Sequence, residues 1–347
     1  MPNPGLTDEQ MQEAIDAYYN NGEVQIRAAE KLGLSKTTYE HGLRRARALG
    51  FRPGVQDVEI PEFPENCPDV EAFLDLQEKR FEREAEYRSA VNWFRIKIKN
   101  NLPVGINWFG DPHLGSNGCN VKQLRKDIDL IKNTDGLYGA NIGDTIDGWG
   151  DRMARLYADN DVSRTTEWKL AKWFLEEAGI PWILWLFGNH DNMHSGFTKY
   201  LKAINAASIP MLDWQAKFVV EFKNGEEFRV NAAHNHKGVS WFHELHGQLR
   251  EAMNTGYDAD VYMAGHHHNW ALMEREGPHG KPLLYARCRG YKFHDEYADH
   301  LGFQDLQGGC SVVTVFNPVA KSTMERVRGF KSTAEGAEYL TWLRSRV

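Results

Sequence analysis

Five short polar segments contain most of the residues in this chain that are suited to metal chemistry. They are Asp-Pro-His at 111–113, Gly-Asp-Thr-Ile-Asp at 143–147, Gly-Asn-His-Asp at 188–191, Ala-His at 233–234 and Gly-His-His-His at 265–268. Two adjacent divalent ions need such ligands, because they lie about 3.5–4 Å apart and together stabilise an in-line displacement at phosphorus. Mixed imidazole and carboxylate ligands favour transition metals, whereas Ca²⁺ and Mg²⁺ prefer oxygen ligands alone. The segments therefore predict a site for two divalent transition metals.

Each polar segment follows an apolar stretch that is typical of a buried strand. These stretches lie at 104–109, 137–142, 182–187, 228–233 and 261–264. Helices predicted near 120–133, 164–177, 197–206 and 241–253 alternate with them. Further strands are predicted near 92–99, 217–223, 226–233, 282–288 and 311–317, with a hairpin turn at Lys223-Asn224-Gly225. We therefore expect several strand ends to bring the polar segments to one edge of a sheet.

In their order and spacing, the segments resemble the motifs of the calcineurin-like metallophosphoesterase family. That pattern reads D-x-H, G-D-x-x-D, G-N-H-[DE], a single His after a strand, and G-H-x-H. The matching sequences here are DPH, GDTID, GNHD, AAHNHKG and GHHH, and the resemblance spans about residues 92–318. It implies an α/β fold, a four-layered α/β/β/α sandwich, and a metal-dependent phosphoric ester hydrolase.

The resemblance also implies a role for each polar residue. The first metal would be bound by Asp111, His113 and His268, the second by Asn189, His234 and His266, and Asp144 would bridge the two. His190 would protonate the leaving oxygen, with Asp147 fixing the orientation and tautomer of its ring. Mn²⁺ is the favoured metal, with Fe²⁺, Zn²⁺ or Ni²⁺ as alternatives.

Three other histidines lie close to these ligands in the sequence. His236 would project much as His234 does from an extended segment, and we favour His234 because the family's ligand directly follows the strand. His194 and His267 are expected to be solvated or to lie beside the ligands.

The bulk properties predict a cytoplasmic chain without a membrane span. A length of 347 residues favours two domains, and the net charge of −7 means that any basic surface must be local. The four cysteines have no C-x-x-C spacing, which fits a reducing compartment. The first five residues lack a signal pattern, and no apolar run approaches the length of a membrane span.

The first fifty residues predict a small all-α domain with three helices, near 7–20, 23–31 and 36–49. Thr7 and Gln10 form a capping box for the first helix, and Ser35 can cap the third. Ala-Ala-x-x-Leu-Gly-Leu-Ser-x-x-Thr at 28–38 resembles a helix-turn-helix of the homeodomain-like or resolvase-like kind, and the resemblance covers about residues 6–50. In such a module the third helix would place Lys36, Thr37, Thr38 and His41 near the bases, and Arg44, Arg45 and Arg47 near phosphates. DNA is the expected partner. A protein-docking role for the helices stays open, since Gly42 weakens the third helix by roughly 1 kcal/mol relative to Ala.

Three domain-level segments follow from these patterns. Residues 1–51 form the helix-turn-helix domain, residues 52–91 a proline-rich linker and a charged helix, and residues 92–347 the catalytic domain. The alternating Glu and Arg residues of the charged helix indicate a solvated face.

Three functions remain open for this combination of domains. A DNA nuclease is favoured, in which Trp149, Trp241 or Trp270 would stack bases and Arg287, Arg289 or Lys292 would contact phosphates; core packing and ordinary surface charge are the competing interpretations. A nucleotide or cyclic-nucleotide phosphatase is the second, while GDTIDGWG lacks the arginine that phosphoprotein phosphatases carry. The third is a DNA-binding regulator with a non-catalytic scaffold. The pairing of domains is reminiscent of phage-encoded proteins.

Overall fold

The computed structural model describes residues 7–54, 69–149, 161–193, 196–240, 242–293 and 308–347. The chain divides into two compact units, Met1–Gln77 and Glu78–Val347, which we call the N-terminal and the C-terminal unit. This division falls inside the helix Val70–Val91, whereas the domain boundaries predicted from the sequence are at residues 51 and 91. Within the described ranges, no helix has the length and apolar character that a membrane crossing needs.

Three short helices form the described part of the N-terminal unit up to residue 54. They are α1 (Asp8–Asn20), α2 (Gln25–Lys31) and α3 (Lys36–Ala48), close to the predicted positions. The Thr7 side chain accepts a hydrogen bond from the Gln10 backbone N–H and the Gln10 side chain accepts one from the Thr7 N–H, so the predicted capping box begins α1. The assignment of the three helices as a helix-turn-helix stays a prediction.

Buried residues from all three helices form the core of the N-terminal unit. Met11 and Ile15 of α1 pack with Ala28 of α2 and with Tyr39 and Leu43 of α3. The Tyr39 hydroxyl lies within this core and donates a 2.6 Å hydrogen bond to the carbonyl oxygen of Ala14, so its polar atom is satisfied.

A long helix and twelve strands contribute to the described part of the C-terminal unit. The helix α4 (Val70–Val91) crosses the boundary between the units and buries none of its side chains. The strands are β1 (Asn92–Ile98), β2 (Val104–Phe109), β3 (Leu137–Ile142), β4 (Trp182–Phe187), β5 (Met211–Asp213), β6 (Gln215–Phe222), β7 (Glu227–Ala233), β8 (Val261–Ala264), β9 (Ala271–Glu276), β10 (Pro282–Arg287), β11 (Ser311–Phe316) and β12 (Val327–Phe330). The remaining helices are α5 (Val121–Lys132), α6 (Arg164–Lys172), α7 (Asn189–Met193), α8 (Phe197–Ile204), α9 (His246–Asn254) and α10 (Thr333–Arg344).

The strands form two six-stranded mixed sheets. Sheet A has the order β1-β6-β7-β8-β10-β9, and sheet B has the order β12-β11-β2-β3-β4-β5. In sheet B, β2, β3, β4 and β5 are parallel, so their carboxyl ends lie on one edge. In sheet A, β7, β8 and β10 are also parallel to one another.

The two sheets pack face to face, and helices cover both outer faces. Apolar side chains of sheet B such as Ile106 and Trp108 share one core with side chains of sheet A such as Phe218 and Val230. Helices α5, α6, α8 and α10 pack on the outer face of sheet B, and α9 packs on sheet A. The structure therefore confirms the predicted four-layered α/β/β/α sandwich.

The elements depart from the sequence prediction in a few places. The helix expected to begin near residue 241 begins at His246, because the residues before it turn and the His243 ring accepts a hydrogen bond from the Leu245 N–H. The helix expected over 164–177 is α6 followed by one π-helical turn, Trp173–Glu177. The predicted hairpin is present, since β6 and β7 pair antiparallel and Gly225 has a φ of 87°.

A buried hydrogen bond inside the inter-sheet core provides a test of the fold. The indole N–H of Trp108 on β2 donates to the hydroxyl of Thr314 on β11 at 3.0 Å, and neither residue is exposed. We expect Thr314→Val to lower the free energy of unfolding by about 1–3 kcal/mol, because the buried indole N–H loses its acceptor. Equilibrium denaturation in urea measures this change. Thr314→Ser keeps the hydroxyl and is expected to lose less stability, and equal losses in the two variants would contradict the assignment.

Candidate metal centre

The predicted ligands lie in the loops that follow five strands of the two sheets. Asp111, His113, Asp144 and Asn189 follow β2, β3 and β4 of sheet B, and His234, His266 and His268 follow β7 and β8 of sheet A. Parallel strands place their carboxyl ends on the same edge, so loops that are far apart in sequence meet there. The five polar segments thus converge at one edge of the sheets, as the sequence predicts.

The backbone at most of these ligands adopts an unusual conformation. Five of the seven predicted ligands have a positive φ, and they are Asp111 (40°), His113 (45°), Asp144 (50°), His266 (74°) and His268 (49°). A residue with a side chain in this region is strained by on the order of 1–3 kcal/mol, and such strain persists only where the surrounding structure enforces it. Strained residues cluster at functional sites, so this concentration makes the strand-end loops the candidate functional part of the C-terminal unit.

Asp144 lies between the two predicted groups of ligands. Its Oδ2 is 3.2 Å from Nε2 of His234 and 3.9 Å from Nε2 of His113, which are predicted to bind different metals. Its Oδ1 accepts a 2.9 Å hydrogen bond from the backbone N–H of His190. Asp144 Oδ2 therefore lies near one predicted ligand from each of the two groups.

The second predicted group is compact around His234. Nε2 of His234 lies 3.0 Å from Oδ1 of Asn189 and 3.1 Å from Nδ1 of His266. Its other ring nitrogen, Nδ1, is 2.9 Å from the carbonyl oxygen of Ile142, to which it donates. This contact turns Nε2 toward Asn189 and His266, as in histidine ligands whose second nitrogen is held by a carbonyl.

The first predicted group is built around His113 and Asp111. Oδ2 of Asp111 accepts a 2.7 Å hydrogen bond from the backbone N–H of His266, which ties this loop to the other sheet. The His113 and His268 rings lie with their centroids 5.1 Å apart. Among the described residues, Oδ1 of Asp111 and Nε2 of His113 are buried atoms without a hydrogen-bond partner.

These donor atoms fit a pair of divalent cations. Buried acceptor atoms are normally paired, so unpartnered lone pairs at Asp111 and His113 need a positive ion or a proton. Burial lowers the pKa of His266 to about 3, with the charge of His234 adding to the effect, and burial also lowers the pKa of His113. Neutral imidazoles are the form that binds metals. Nitrogen and oxygen donors together suit Mn²⁺, Fe²⁺, Ni²⁺ or Zn²⁺.

Burial and neighbouring charges together raise the pKa values of Asp111 and His234. Burial raises the pKa of Asp111 to about 8. For His234, burial lowers the pKa but the carboxylates of Asp144 and Asp111 outweigh it and raise the pKa to about 9. A bound cation would compete with a proton on His234, because histidine binds metals in its neutral form.

His190 lies beside the metal ligands, as predicted, but a different group orients it. The Nδ1–H of His190 donates to the backbone carbonyl of Asp147. The Asp147 carboxylate instead lies 3.0 Å from Nδ1 of His113 and 2.9 Å from Nζ of Lys292. Burial raises the pKa of this carboxyl, but His113 and Lys292 together hold it well below its ordinary value. Asp147 therefore fixes the tautomer of His190 through its backbone and that of His113 through its side chain.

Two groups of three side chains bring their ligand atoms within 4.8 Å of one another. One is Asp144, His234 and His266, and the other is His113, Asp147 and His190. The second group joins a predicted ligand to the two predicted catalytic residues. In the described residues, the predicted general acid and one predicted ligand of the first metal thus lie in one cluster.

Asp191, Arg287 and Lys292 support the site and received no such role from the sequence. Asp191 accepts hydrogen bonds from the backbone N–H groups of Thr145 (2.9 Å) and Gly188 (3.0 Å), and so joins two ligand loops. Arg287 is 1% exposed and donates to the carbonyl oxygens of Glu244 and Gly265.

Burial corrects one sequence interpretation of the basic residues near the last polar segment. Arg287, Arg289 and Lys292 are all buried, so none of them is ordinary surface charge. Arg287 is held by backbone carbonyls, and Arg289 lies with its guanidinium 3.9 Å from the ring centroid of Phe293. Of the three, Lys292 contacts a predicted catalytic residue.

The three other histidines near the predicted ligands in the sequence are His236, His267 and His194. His236 is 3% exposed, and burial lowers its pKa to about 4, while His234 occupies the ligand cluster. His267 is half-buried, with its Nε2 3.2 Å from the side-chain nitrogen of Asn235. His194 lies outside the described residues.

The predicted DNA contacts lie on α3 of the N-terminal unit. All seven are exposed: Lys36, Thr37, Thr38, His41, Arg44, Arg45 and Arg47. Lys36 pairs with Glu40 at 3.6 Å, and the Arg47 guanidinium lies 4.6 Å from the ring centroid of Tyr18. Arg44 and Arg45 are therefore the arginines on this helix that we expect to reach phosphates most readily.

Comparison with known proteins yields distant structural likenesses. No family model matches the chain, and no curated protein matches its sequence. A search of solved structures finds Vacuolar Protein Sorting 29 from Cryptosporidium parvum, at 16% identity and a TM-score of 0.33, covering 66% of this chain and 97% of that one. It also finds a metallophosphoesterase from Sphaerobacter thermophilus, at 12% identity and a TM-score of 0.33, covering 70% and 99%. A Streptococcus pneumoniae protein described as a predicted phosphoesterase has 12% identity and a TM-score of 0.31, covering 66% and 97%.

The close approach of two ligand loops at Gly188 gives a test of the metal centre. A Cβ at this position would lie 2.1 Å from Oδ1 and 2.6 Å from the backbone nitrogen of Asp144. We expect Gly188→Ala to displace the bridging carboxylate and to weaken Mn²⁺ binding roughly 10- to 100-fold, as measured by isothermal titration calorimetry. The control is Gly308→Ala, whose Cβ would meet Trp270 at an ordinary 3.5 Å. Unchanged Mn²⁺ affinity in Gly188→Ala would remove Asp144 from the ligand set.

Proposed function

We propose that this chain is a two-metal-dependent phosphoesterase that hydrolyses phosphodiester bonds, and that its substrate is DNA. The observation that carries the proposal is the placement of Asp144 between two groups of nitrogen and oxygen donors, with His190 beside them. These residue types and this order along the chain are those of the calcineurin-like motifs. The N-terminal helices would then bring the catalytic unit to its substrate.

The proposed ligands are the seven predicted residues. Two divalent ions bound there, with Mn²⁺ favoured, would polarise a phosphate ester and stabilise the charge that develops on its oxygens. The protein supplies orientation: Asp147 holds the His113 ring, and the Ile142 carbonyl holds the His234 ring. Held rings lose little freedom on binding, which favours a defined metal geometry.

His190 is the proposed general acid. Its ring is 7% exposed, its Nδ1–H is engaged by the Asp147 carbonyl, and its ring centroid lies 4.5 Å from that of Trp149. Because the Nδ1–H is engaged, the proton for the leaving oxygen would come from Nε2 of the imidazolium form, and its transfer would leave a neutral ring with its proton on Nδ1. Trp149 packs edge-on against the ring and limits the access of bulk water to it.

Exposed basic residues on α3 support DNA as the substrate. Binding to DNA relies on phosphate contacts by Lys and Arg, which need one basic face rather than a basic chain. Arg44 and Arg45 offer such contacts although the net charge of the whole chain is −7. A small nucleotide substrate would make no use of this helix.

The first experiment compares the wild-type protein with Asp144→Asn on end-labelled single- and double-stranded DNA with Mn²⁺. We expect cutting that requires Mn²⁺ and that the substitution abolishes, because the amide cannot supply the bridging charge. Hydrolysis of bis-p-nitrophenyl phosphate without cutting of DNA would move the substrate to a nucleotide. Inactivity on both would favour a regulator with a non-catalytic scaffold.

His190→Ala tests the acid separately from metal binding. We expect turnover to fall by roughly 10²–10⁴-fold while Mn²⁺ stoichiometry stays at two, because a general acid contributes to the chemical step. Single-turnover kinetics and calorimetry measure the two quantities. If the variant turned over at the wild-type rate, His190 would have no part in proton transfer.

Arg44→Ala and Arg45→Ala test the DNA contacts of α3. We expect each to weaken binding to duplex DNA regardless of sequence and to reduce the slope of log affinity against log salt by about 1, since each lost phosphate contact releases one fewer counterion. Fluorescence anisotropy at several salt concentrations measures this slope. Arg80→Ala, an exposed arginine of α4, is the matched control. Slopes equal to that of the control would assign α3 to another role.

A further inference from the structure

Trp214 is the one residue between β5 of sheet B and β6 of sheet A, and it lies beside the candidate metal centre. It follows β5 of sheet B at Asp213 and precedes β6 of sheet A at Gln215. Its φ is 65°, a conformation that strains any residue with a side chain. Glycine would adopt this conformation freely, so a large aromatic residue here needs an explanation beyond the turn itself.

Hydrogen bonds hold both the backbone and the ring of Trp214. Its N–H donates to the Phe187 carbonyl at 3.1 Å, and its carbonyl accepts from the His234 N–H at 2.7 Å. The indole N–H donates to the carbonyl oxygen of Asn235 at 3.0 Å. The indole is thus fixed in one orientation by groups next to the metal ligands.

The ring lies against the histidines of the second metal position and also faces solvent. Its centroid is 5.1 Å from that of His234 and 6.2 Å from that of His266. The residue nevertheless exposes 40% of its surface. The neighbouring acid, Asp213, is 3.5 Å from Nζ of Lys202, so its repulsion of a phosphate chain is partly offset.

No other described tryptophan combines these properties. Trp149 also contacts a site residue edge-on, as Trp214 does, but it is only 8% exposed, which leaves little of its ring for a base to reach. Trp342 is 47% exposed but lies on α10, where its ring packs with Tyr339. Trp270 is half-buried, and Trp241 lies outside the described residues. The sequence prediction of a stacking role for Trp149 therefore finds less support than the same role for Trp214.

We propose that Trp214 is a stacking platform for an unpaired nucleobase of the substrate, next to the phosphate that is cleaved. The inference rests on the proposed function and specifies which part of the nucleic acid the site binds. A flat, rigid and exposed ring suits base stacking, which is sequence-tolerant because every base has a π-face. A base inside a duplex cannot reach such a ring without leaving its stack, so the platform selects single-stranded or frayed ends.

The test uses the full-length protein with two substitutions at Trp214. Trp214→Leu keeps apolar bulk but removes the aromatic face, and Trp214→Phe keeps a smaller face. Binding of a fluorescein-labelled single-stranded oligonucleotide is measured by anisotropy in EDTA, where no cutting occurs. We expect Leu to raise Kd roughly 5- to 150-fold and Phe to raise it much less, in line with the measured range for base–aromatic stacking. Trp342→Ala is the control for an exposed tryptophan away from the site.

An oligonucleotide with one abasic position provides the second arm. The wild-type protein is expected to bind it more weakly than the intact strand when the gap meets the platform, whereas Trp214→Leu binds both alike. Equal discrimination by the wild type and the Leu variant would overturn the inference. A mononucleotide that competes with the oligonucleotide in the wild type but not in the Leu variant would also support a base-stacking platform, with a free nucleotide as its source.

Kinetics separate this inference from the proposed function. The readout is the ratio of kcat/KM for the oligonucleotide to that for bis-p-nitrophenyl phosphate, which carries no nucleobase. We expect Trp214→Leu to lower this ratio through KM. An equal fall for both substrates would make Trp214 a support for His234 and overturn the inference. If the wild type binds the oligonucleotide through Trp214 but cuts no DNA with Mn²⁺, the proposed function fails while the platform stands.

Discussion

The carboxylate of Asp144 is almost wholly buried, and both of its oxygens lie among groups that must neutralise its charge. Burial of an unpaired charge is strongly unfavourable, so the surrounding structure has to supply positive charge or hydrogen-bond donors. The His190 N–H serves one oxygen, and the His113 and His234 rings face the other. Gly143 and Gly188 carry no side chain where one would collide with this arrangement. The strained backbone of the ligand loops follows from the same requirement, since the side chains must converge on one small volume.

The sequence allowed prediction of the parts that depend on local pattern. The apolar stretches before each polar segment predicted β2, β3, β4, β7 and β8, because a buried strand is readable from consecutive residues. Candidate ligands could be named because strand ends and polar segments coincide, and family motifs gave their order. Ser35 and Thr7 likewise marked helix starts through capping chemistry. These features need no knowledge of what lies across the fold.

The partners of individual side chains could not be read from the sequence. Asp147 was expected to orient His190 with its carboxylate, but Lys292, which is 145 residues away in sequence, and His113 occupy that carboxylate. From the sequence, Arg287 could be ordinary surface charge or a phosphate contact. It is buried and donates to backbone carbonyls, and such acceptors leave no pattern in the sequence. Trp214 gave no signal either, since its importance arises from a crossover between two sheets. Pairing across sheets depends on packing, which local periodicity does not encode.

The division of the ligands between the two sheets has a mechanical consequence. Away from the candidate metal centre the sheets are held together by apolar side chains, whose contact is non-directional, and by ion pairs such as Arg328 with Glu274 at 2.7 Å. The loops after β2, β3 and β4 of sheet B and those after β7 and β8 of sheet A would bind the same pair of ions. Bound metal would therefore cross-link the two layers and fix their relative position at this edge. The rigidity of that edge would then depend on metal binding, and the edge would have one defined geometry only when both ions are bound.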